Sequence, residues 1–535
     1  MPIARVSCRA QVGLTAPPVE VEVHLGNGLP GFTIVGLAAT EVKESKERVR
    51  AALANAGLEW PSGRITVNLA PADLPKDGGR FDLAIAIGIL VASEQAGRAA
   101  EARLASCEFL GELGLGGEVR PVRGALVAAR AEAAAGRALV LPAANACEMR
   151  LLPGLAAFAA AHLLEVWAHL CGKAELPAAR SLAVAAPAQR APEAGAPDAG
   201  SLEDRACAPP QAARPLSLAD VCGQSQGKRA LQVAAAGGHS LLLIGPPGCG
   251  KSMLAQRLPS LLPALTETEA IDVAAVASVA GAARIAGTWP VPRPFRAPHH
   301  TASAGAIIGG GAQARPGEIT LAHLGVLFLD EFPEFDRRVL EALREPLESG
   351  VVSISRAGMQ AEYPARFQLV AAMNPCPCGH LGDRTRPCRC KPPELARYRA
   401  RLSGPLLDRI DLRVALEAVG EADLDAHRTA LANGAAHARA SGDATRLRAA
   451  RARQIARQGC LNADLAGPDL ECRASLTREA AAILAQARDK LGLSLRGTHR
   501  TQRIARTLAD LDGTEAVAMT HVAEAIQLRR ALVQD

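Results

Sequence analysis

Three short, mainly apolar runs punctuate the middle of the chain: Leu241–Ile244, Val326–Leu329 and Phe367–Ala372. Each is bounded by turn-forming or polar residues, the pattern of strands buried on both faces of a parallel sheet. Further upstream, Arg64–Ala70 and Phe81–Leu90 also read as strand-like runs within a compact α/β unit of their own. Beyond about residue 475 the period lengthens to that of helices. Segments opening at Thr477, Ser494 and Thr520 each begin with an N-cap residue, and Gly492 and Gly513 stop the first two. Between 174 and 215 neither period persists and Ala, Pro and Gly dominate, so a linker is expected there. The predicted order is an N-terminal α+β unit over 1–173, the linker over 174–215, an α/β core over 216–420 and a helical lid over 421–535.

Composition narrows the class. With 535 residues, 49% of them apolar, and a mean hydropathy of only +0.09, the chain is neither disordered nor built of many membrane spans. The most lipid-like stretch, Leu151–Leu170, carries Pro153, Gly154, His162 and Glu165 and reads as an amphipathic or buried helix. The N-terminus lacks the apolar segment of a secretory signal, so a cytoplasmic protein is expected. Sixty Lys and Arg against 54 Asp and Glu leave a net charge of +6, which permits a nucleic-acid partner without requiring one. Thirteen cysteines, an odd number, argue against a disulfide framework.

The chemistry gathers at the ends of the three runs. Gly245, Pro246, Pro247, Gly248, Cys249, Gly250, Lys251 and Ser252 follow the first run directly and fit G-x-x-x-x-G-K-[ST]. Glycines at these positions let backbone N–H groups converge on phosphates at a helix N-terminus. Lys251 is then expected on the β/γ-phosphates and Ser252 on Mg²⁺. Asp330 and Glu331 follow the second run, suited to the Mg²⁺ shell and to polarising an attacking water. Asn374 ends the third run and is placed to orient that water. Arg409, after a short helical stretch, is a candidate arginine finger toward a neighbouring subunit, and Arg496 a candidate phosphate grip from the same chain. Cys376, Cys378, Cys388 and Cys390 form C-x-C-x9-C-x-C just after Asn374. They suit a structural Zn²⁺, reduced unligated thiols or a redox response.

This order of parts resembles that of AAA+ ATPases. Phe295–Ser303, Arg315–Phe335, Pro364–His380 and Gly404–Leu412 are similar to the ComM/YifB family of magnesium-chelatase-like AAA+ proteins, and Gly28–Leu53 with Arg64–Leu90 resemble the same family. The resemblance implies ATP and Mg²⁺ as ligands and a homo-oligomeric, hexameric ring without membrane contact. It further implies a motor on branched DNA, a branch-migrating or helicase activity that supports natural transformation. The alternative it carries is a chelatase-type or protein-remodelling ATPase. Magnesium chelatase's motor subunit resembles the core without the N-terminal unit, which favours DNA.

Two insertions belong to the family pattern. Ala302–Gly317 is glycine-rich and suits a loop, and Val351–Phe367 reads as two strands around Ala357–Gly358, with Arg356 a candidate phosphate contact. His299 and His300 suit a pore, an interface or ordinary hydrogen-bonded structure. The N-terminal unit also resembles the proteolytic domain of Lon, a ribosomal-S5-like fold, through Pro75–Gly78 and Gly111–Gly124. Arg80 and Leu126 stand where a serine nucleophile and a lysine base would be required, so a non-proteolytic relative is expected.

Overall fold

The structure, a computed structural model, describes residues 3–182 and 216–530, except 38, 96–97, 283–290, 312–313, 357–358, 383–385 and 466. Most of the expected linker therefore lies outside the described residues. Its first part does not: Ala159 N–H bonds the Pro177 carbonyl and Ala179 is buried, so the N-terminal unit continues to Ser181.

That unit is built on one seven-stranded mixed sheet. Its spatial order is Gly31–Val35, Arg64–Ala70, Pro18–Gly26, Ile3–Arg9, Cys107–Phe109, Ala138–Pro142 and Ala157–Ala160. Ile3–Arg9 pairs antiparallel with Pro18–Gly26 and parallel with Cys107–Phe109. Two sequence expectations fail here. Phe81–Leu90 is not a strand but the buried helix Asp82–Ala92. It is apolar on every side, so neither period shows, and its length is a helix's. Leu151–Leu170 is not one helix but the strand Ala157–Ala160 followed by the helix Leu163–Leu170. His162 divides them, its Nδ1 accepting the Leu164 N–H at 3.2 Å.

The core sheet has five parallel strands in the order Phe295–Arg296, Val326–Leu329, Gln368–Met373, Leu241–Ile244 and Leu412–Ala415. All three apolar runs are strands within it. Leu242, Ile244, Leu327, Leu329, Leu369 and Ala371 enter a core continuous with that of the N-terminal unit. Their neighbours Leu241, Leu243, Val326, Phe328, Val370 and Ala372 enter a second core beneath the C-terminal helices. Two filled faces are why the runs are apolar throughout and do not alternate. Register then sorts the chemistry: Ile244 is level with Met373 and Ala415, and Leu241 with Leu412. Groups following Ile244, Leu329 and Met373 share one edge of the sheet, and groups preceding Leu412 lie at the opposite edge.

The lid helices Arg478–Leu491 and Leu495–Asp512 open at Thr477 and Ser494 and close at Gly492 and Gly513, as expected. The third, Met519–Gln527, starts earlier than Thr520. His521 Nδ1 accepts the Ala518 N–H at 3.0 Å, so an imidazole ties down the helix start in place of the threonine hydroxyl. Asp510 is buried among Arg457, Arg506 and the Asn462 amide, which fastens Leu495–Asp512 to the long helix Ala435–Gln458.

The second insertion is a hairpin, Val351–Arg356 antiparallel to Met359–Pro364. The expected turn residues Ala357–Gly358 and the side chain of Arg356 lie outside the described residues. The glycine-rich insertion is more than a loop. Ser303 caps a short helix, Ala304–Ile308, and Gly309–Gly310 pairs with Arg315–Pro316. Tyr363 donates its hydroxyl to the Ala314 carbonyl at 2.8 Å, which joins the two insertions. The core also meets the N-terminal unit directly. The helix Glu267–Ala280 presents Ser278, whose carbonyl accepts the Gly124 N–H at 3.0 Å and whose hydroxyl donates to the buried Glu148. Arg130 pairs with Asp272 at 2.7 Å beside it. Among the described residues no helix is long and apolar enough to cross a membrane.

Candidate nucleotide site

Gly245 follows Ile244 at the edge of the sheet, and the loop ends at Gly250, the residue before the helix Lys251–Ala255. Gly248 and Gly250 have φ of 78° and 91°, the left-handed region in which a side chain is costly. The loop is tied at both ends: Gly245 N–H bonds the Met373 carbonyl at 3.2 Å, and Cys249 N–H bonds that of Pro246 at 3.4 Å. The Gln224 side chain donates to the Cys249 carbonyl at 3.0 Å. Sequence reasoning missed Gln224; the Gly223-Gln224-Ser225 turn before the helix Ser225–Gly237 was the available signal.

Lys251 Nζ donates to the carbonyls of Gly245 and Pro246 at 2.7 and 2.9 Å and to Asn374 Oδ1 at 3.0 Å. Burial lowers its ammonium below the ordinary lysine value, opposed by Cys249, Asp330 and Glu331. Ser252 Oγ donates to Asp330 Oδ2 at 2.7 Å, and Asp330 Oδ1 accepts the Glu331 N–H at 2.9 Å. A hydroxyl and a carboxylate that could hold a cation are thus side by side. Glu331 adopts φ of 52°, unusual for a residue with a side chain, and its Oε2 lies 2.8 Å from His300 Nδ1. A non-glycine residue held in this region costs on the order of 1 kcal/mol, a strain that gathers at functional sites. His300 therefore belongs to the site. From sequence it had been one of a histidine pair with no assigned partner.

Arg409 and Arg496 are elsewhere. Arg409 precedes Leu412 and so sits at the edge of the sheet opposite Gly245. There its Nη2 meets Glu348 Oε1 at 2.6 Å in a groove of about 660 Å³ that Glu341 and Glu345 also line. The segment is pinned by Asp411, next to His239 (3.2 Å) and Arg500. Burial would raise the Asp411 carboxyl, but His239, Arg500 and Arg529 hold it far below the usual range. Arg496 is exposed near the start of its helix. One turn on, Arg500 bonds Asp411 and the Arg409 carbonyl, so this end of the helix lies on the Arg409 side. The start of this helix therefore lies away from the Gly245–Ser252 loop of its own chain.

The four clustered cysteines come together as the spacing suggested. Their sulfurs all lie within 4.8 Å of one another, with Cys376–Cys378 at 3.3 Å, Cys378–Cys388 at 3.6 Å and Cys376–Cys388 at 3.7 Å. Backbone N–H groups of His380 and Arg389 bring the Cys378 thiol down to about 6. In the N-terminal unit Arg80 is buried, donating to Gln11 and to the Arg123 carbonyl, and Leu126 is fully buried. Neither presents a nucleophile or a base.

Competence protein ComM of Haemophilus influenzae is 45% identical over 529 residues, 99% of this chain and 98% of that protein. The uncharacterized protein YifB of Escherichia coli is 45% identical over 529 residues, 99% of this chain and 97% of its own. The chain belongs to the ComM/YifB family of magnesium-chelatase-like AAA+ proteins. Models described as magnesium chelatase subunit ChlI match residues 217–424, and its C-terminal part residues 439–529. The magnesium-chelatase 38 kDa subunit of Cereibacter sphaeroides is 27% identical over 178 residues, 30% of this chain and 53% of that subunit. A further model, described as subunit ChlI of Mg-chelatase, matches 21–145. That match removes the N-terminal unit as a discriminator between a ComM/YifB protein on DNA and a chelatase.

Proposed function

We propose that this ComM/YifB family member is an ATP-hydrolysing ring motor that acts on branched DNA. In this reading Lys251 contacts the terminal phosphates and Ser252 and Asp330 hold Mg²⁺. Glu331 takes the proton of the attacking water, and Asn374 orients that water. The observation that carries the ring is the separation of Arg409 from its own loop. A guanidinium at the far edge of the sheet is of use to a phosphate only on another subunit. Glu348 then occupies Arg409 in the isolated chain, as a carboxylate standing in for a neighbour's phosphate. Arg496, on the same side, is assigned to the neighbour's nucleotide as well.

The DNA assignment draws on the competence name of the Haemophilus relative and on the basic balance of the chain. The paired insertions are its candidate contacts, and binding through phosphates is salt-sensitive and largely independent of sequence. The test is ATP turnover with and without four-way or forked DNA at two salt concentrations. Stimulation that fades with salt is expected. Turnover indifferent to DNA would replace this reading with the chelatase-type or protein-remodelling alternative, which the Cereibacter match favours.

A further inference from the structure

We infer that Cys376, Cys378, Cys388 and Cys390 bind one Zn²⁺ as a tetrathiolate site, and that this site braces the lip of the nucleotide loop. The braced-loop half rests on the nucleotide reading above; the metal half does not.

The donor set is the first argument. Zinc–sulfur bonds of about 2.3 Å in a tetrahedron place sulfurs about 3.8 Å apart. Three of the sulfur–sulfur separations, 3.3, 3.6 and 3.7 Å, are close to that edge, and all four sulfurs fall within 4.8 Å of one another. None of the four is in a disulfide. The loop is also shaped as a thiolate turn. Gly379 N–H closes back on the Cys376 carbonyl at 3.0 Å, and Leu381 N–H points at the Cys376 sulfur at 3.3 Å.

The brace is the second argument. Asn374, two residues before Cys376, accepts from Lys251, and its own carbonyl accepts from the Tyr398 hydroxyl at 3.3 Å, on the helix Pro392–Arg399 just after Cys390. Gly379, at φ of 84°, lies so close to the loop that an added Cβ would stand 2.8 Å from Pro247 Cδ. The cysteine loop thus touches the phosphate loop at Pro247 and, through Asn374, at Lys251. Fixing the four sulfurs fixes both contacts.

The experiment pairs metal content with binding of a fluorescent ATP analogue. Wild-type protein should carry close to one equivalent of zinc. Cobalt in its place should give the intense visible and near-ultraviolet absorption of tetrahedral thiolate coordination. Cys388→Ser/Cys390→Ser should lose the metal. Gly379→Ala should keep it but weaken nucleotide binding about 2- to 30-fold, the span of coupling through contiguous contacts. Gly382→Ala is the control: φ is 79° there too, but an added Cβ meets nothing within 4 Å, so both readouts should hold. Less than about half an equivalent of zinc in wild-type protein expressed with zinc overturns the site. Full zinc with unchanged binding in Gly379→Ala overturns the brace. If Lys251→Ala still binds the analogue, the nucleotide reading has failed and the metal result stands by itself.

Discussion

Arg409→Ala tests whether subunits complete one another's sites. Leu412 is level with Leu241, and Gly245 stands four residues further along that strand, roughly 13 Å away at the usual rise. Arg409 precedes Leu412 by three residues, so the gap to its own phosphate loop is larger still. Acting on a neighbour, a transferred-phosphoryl arginine supplies about 10³ to 10⁵ in rate, or roughly 4 to 7 kcal/mol. The Glu348 partner is 52% exposed, so releasing it costs about 1 kcal/mol at most, and Glu348→Gln should alter turnover by no more than about fivefold. Arg409→Ala should bind ATP normally and hydrolyse it at least about a thousandfold more slowly. Mixing it in equal amounts with Lys251→Ala then gives a clean arithmetic. About a quarter of random interfaces join an intact loop to an intact arginine, so turnover should recover toward roughly that fraction of wild type. No recovery in co-assembled rings would refute the reasoning.

Other outcomes follow from single contacts. Glu331→Gln should retain nucleotide and lose about 10² to 10⁴ in turnover, checked by single-turnover hydrolysis; wild-type turnover would remove Glu331 as the base. His300→Ala frees the Glu331 carboxylate from a charge-assisted hydrogen bond, so basal turnover should rise by up to about tenfold with ATP affinity unchanged. Asp510→Ala leaves Arg457 and Arg506 without their carboxylate and should destabilise the lid by about 3 to 5 kcal/mol in chemical denaturation. Burial lowers the His323 imidazole to about 4 from 6.5, and its Nδ1 accepts the Arg366 N–H. The unfolded chain therefore takes up the proton first. Stability is full above pH 6.5 and falls as the pH drops through 4, by up to about 3 kcal/mol, and His323→Gln should lose that slope in urea titrations.

What the sequence disclosed follows physical lines. Leu241–Ile244, Val326–Leu329 and Phe367–Met373 were legible because a strand covered on both faces leaves an unbroken apolar run, and the candidate site residues sit where those runs stop. The Thr477 and Ser494 caps were legible because a hydroxyl in that position has a definite local partner. Asp82–Ala92 was not, because a helix buried all round has no polar face to reveal its period. His300 and Gln224 were hidden for another reason. Their partners, Glu331 and the Cys249 carbonyl, are 31 and 25 residues away, and only the folded sheet edge brings them together. Arg496 shows the converse: its place in the order of parts was visible, but which side of the sheet it occupies depends on how the helix lies across it.

The Glu148–Ser278 joint bears on how work leaves the ATPase core. Because the helix Glu267–Ala280 is bonded into the N-terminal unit at Gly124, Glu148 and Arg130, the seven-stranded sheet rides on the core as a fixed attachment, not as cargo trailing on a string. Any rotation of that helix during a nucleotide cycle is delivered directly to the N-terminal surface, and nicking the polypeptide between 183 and 215 should leave the two pieces travelling together.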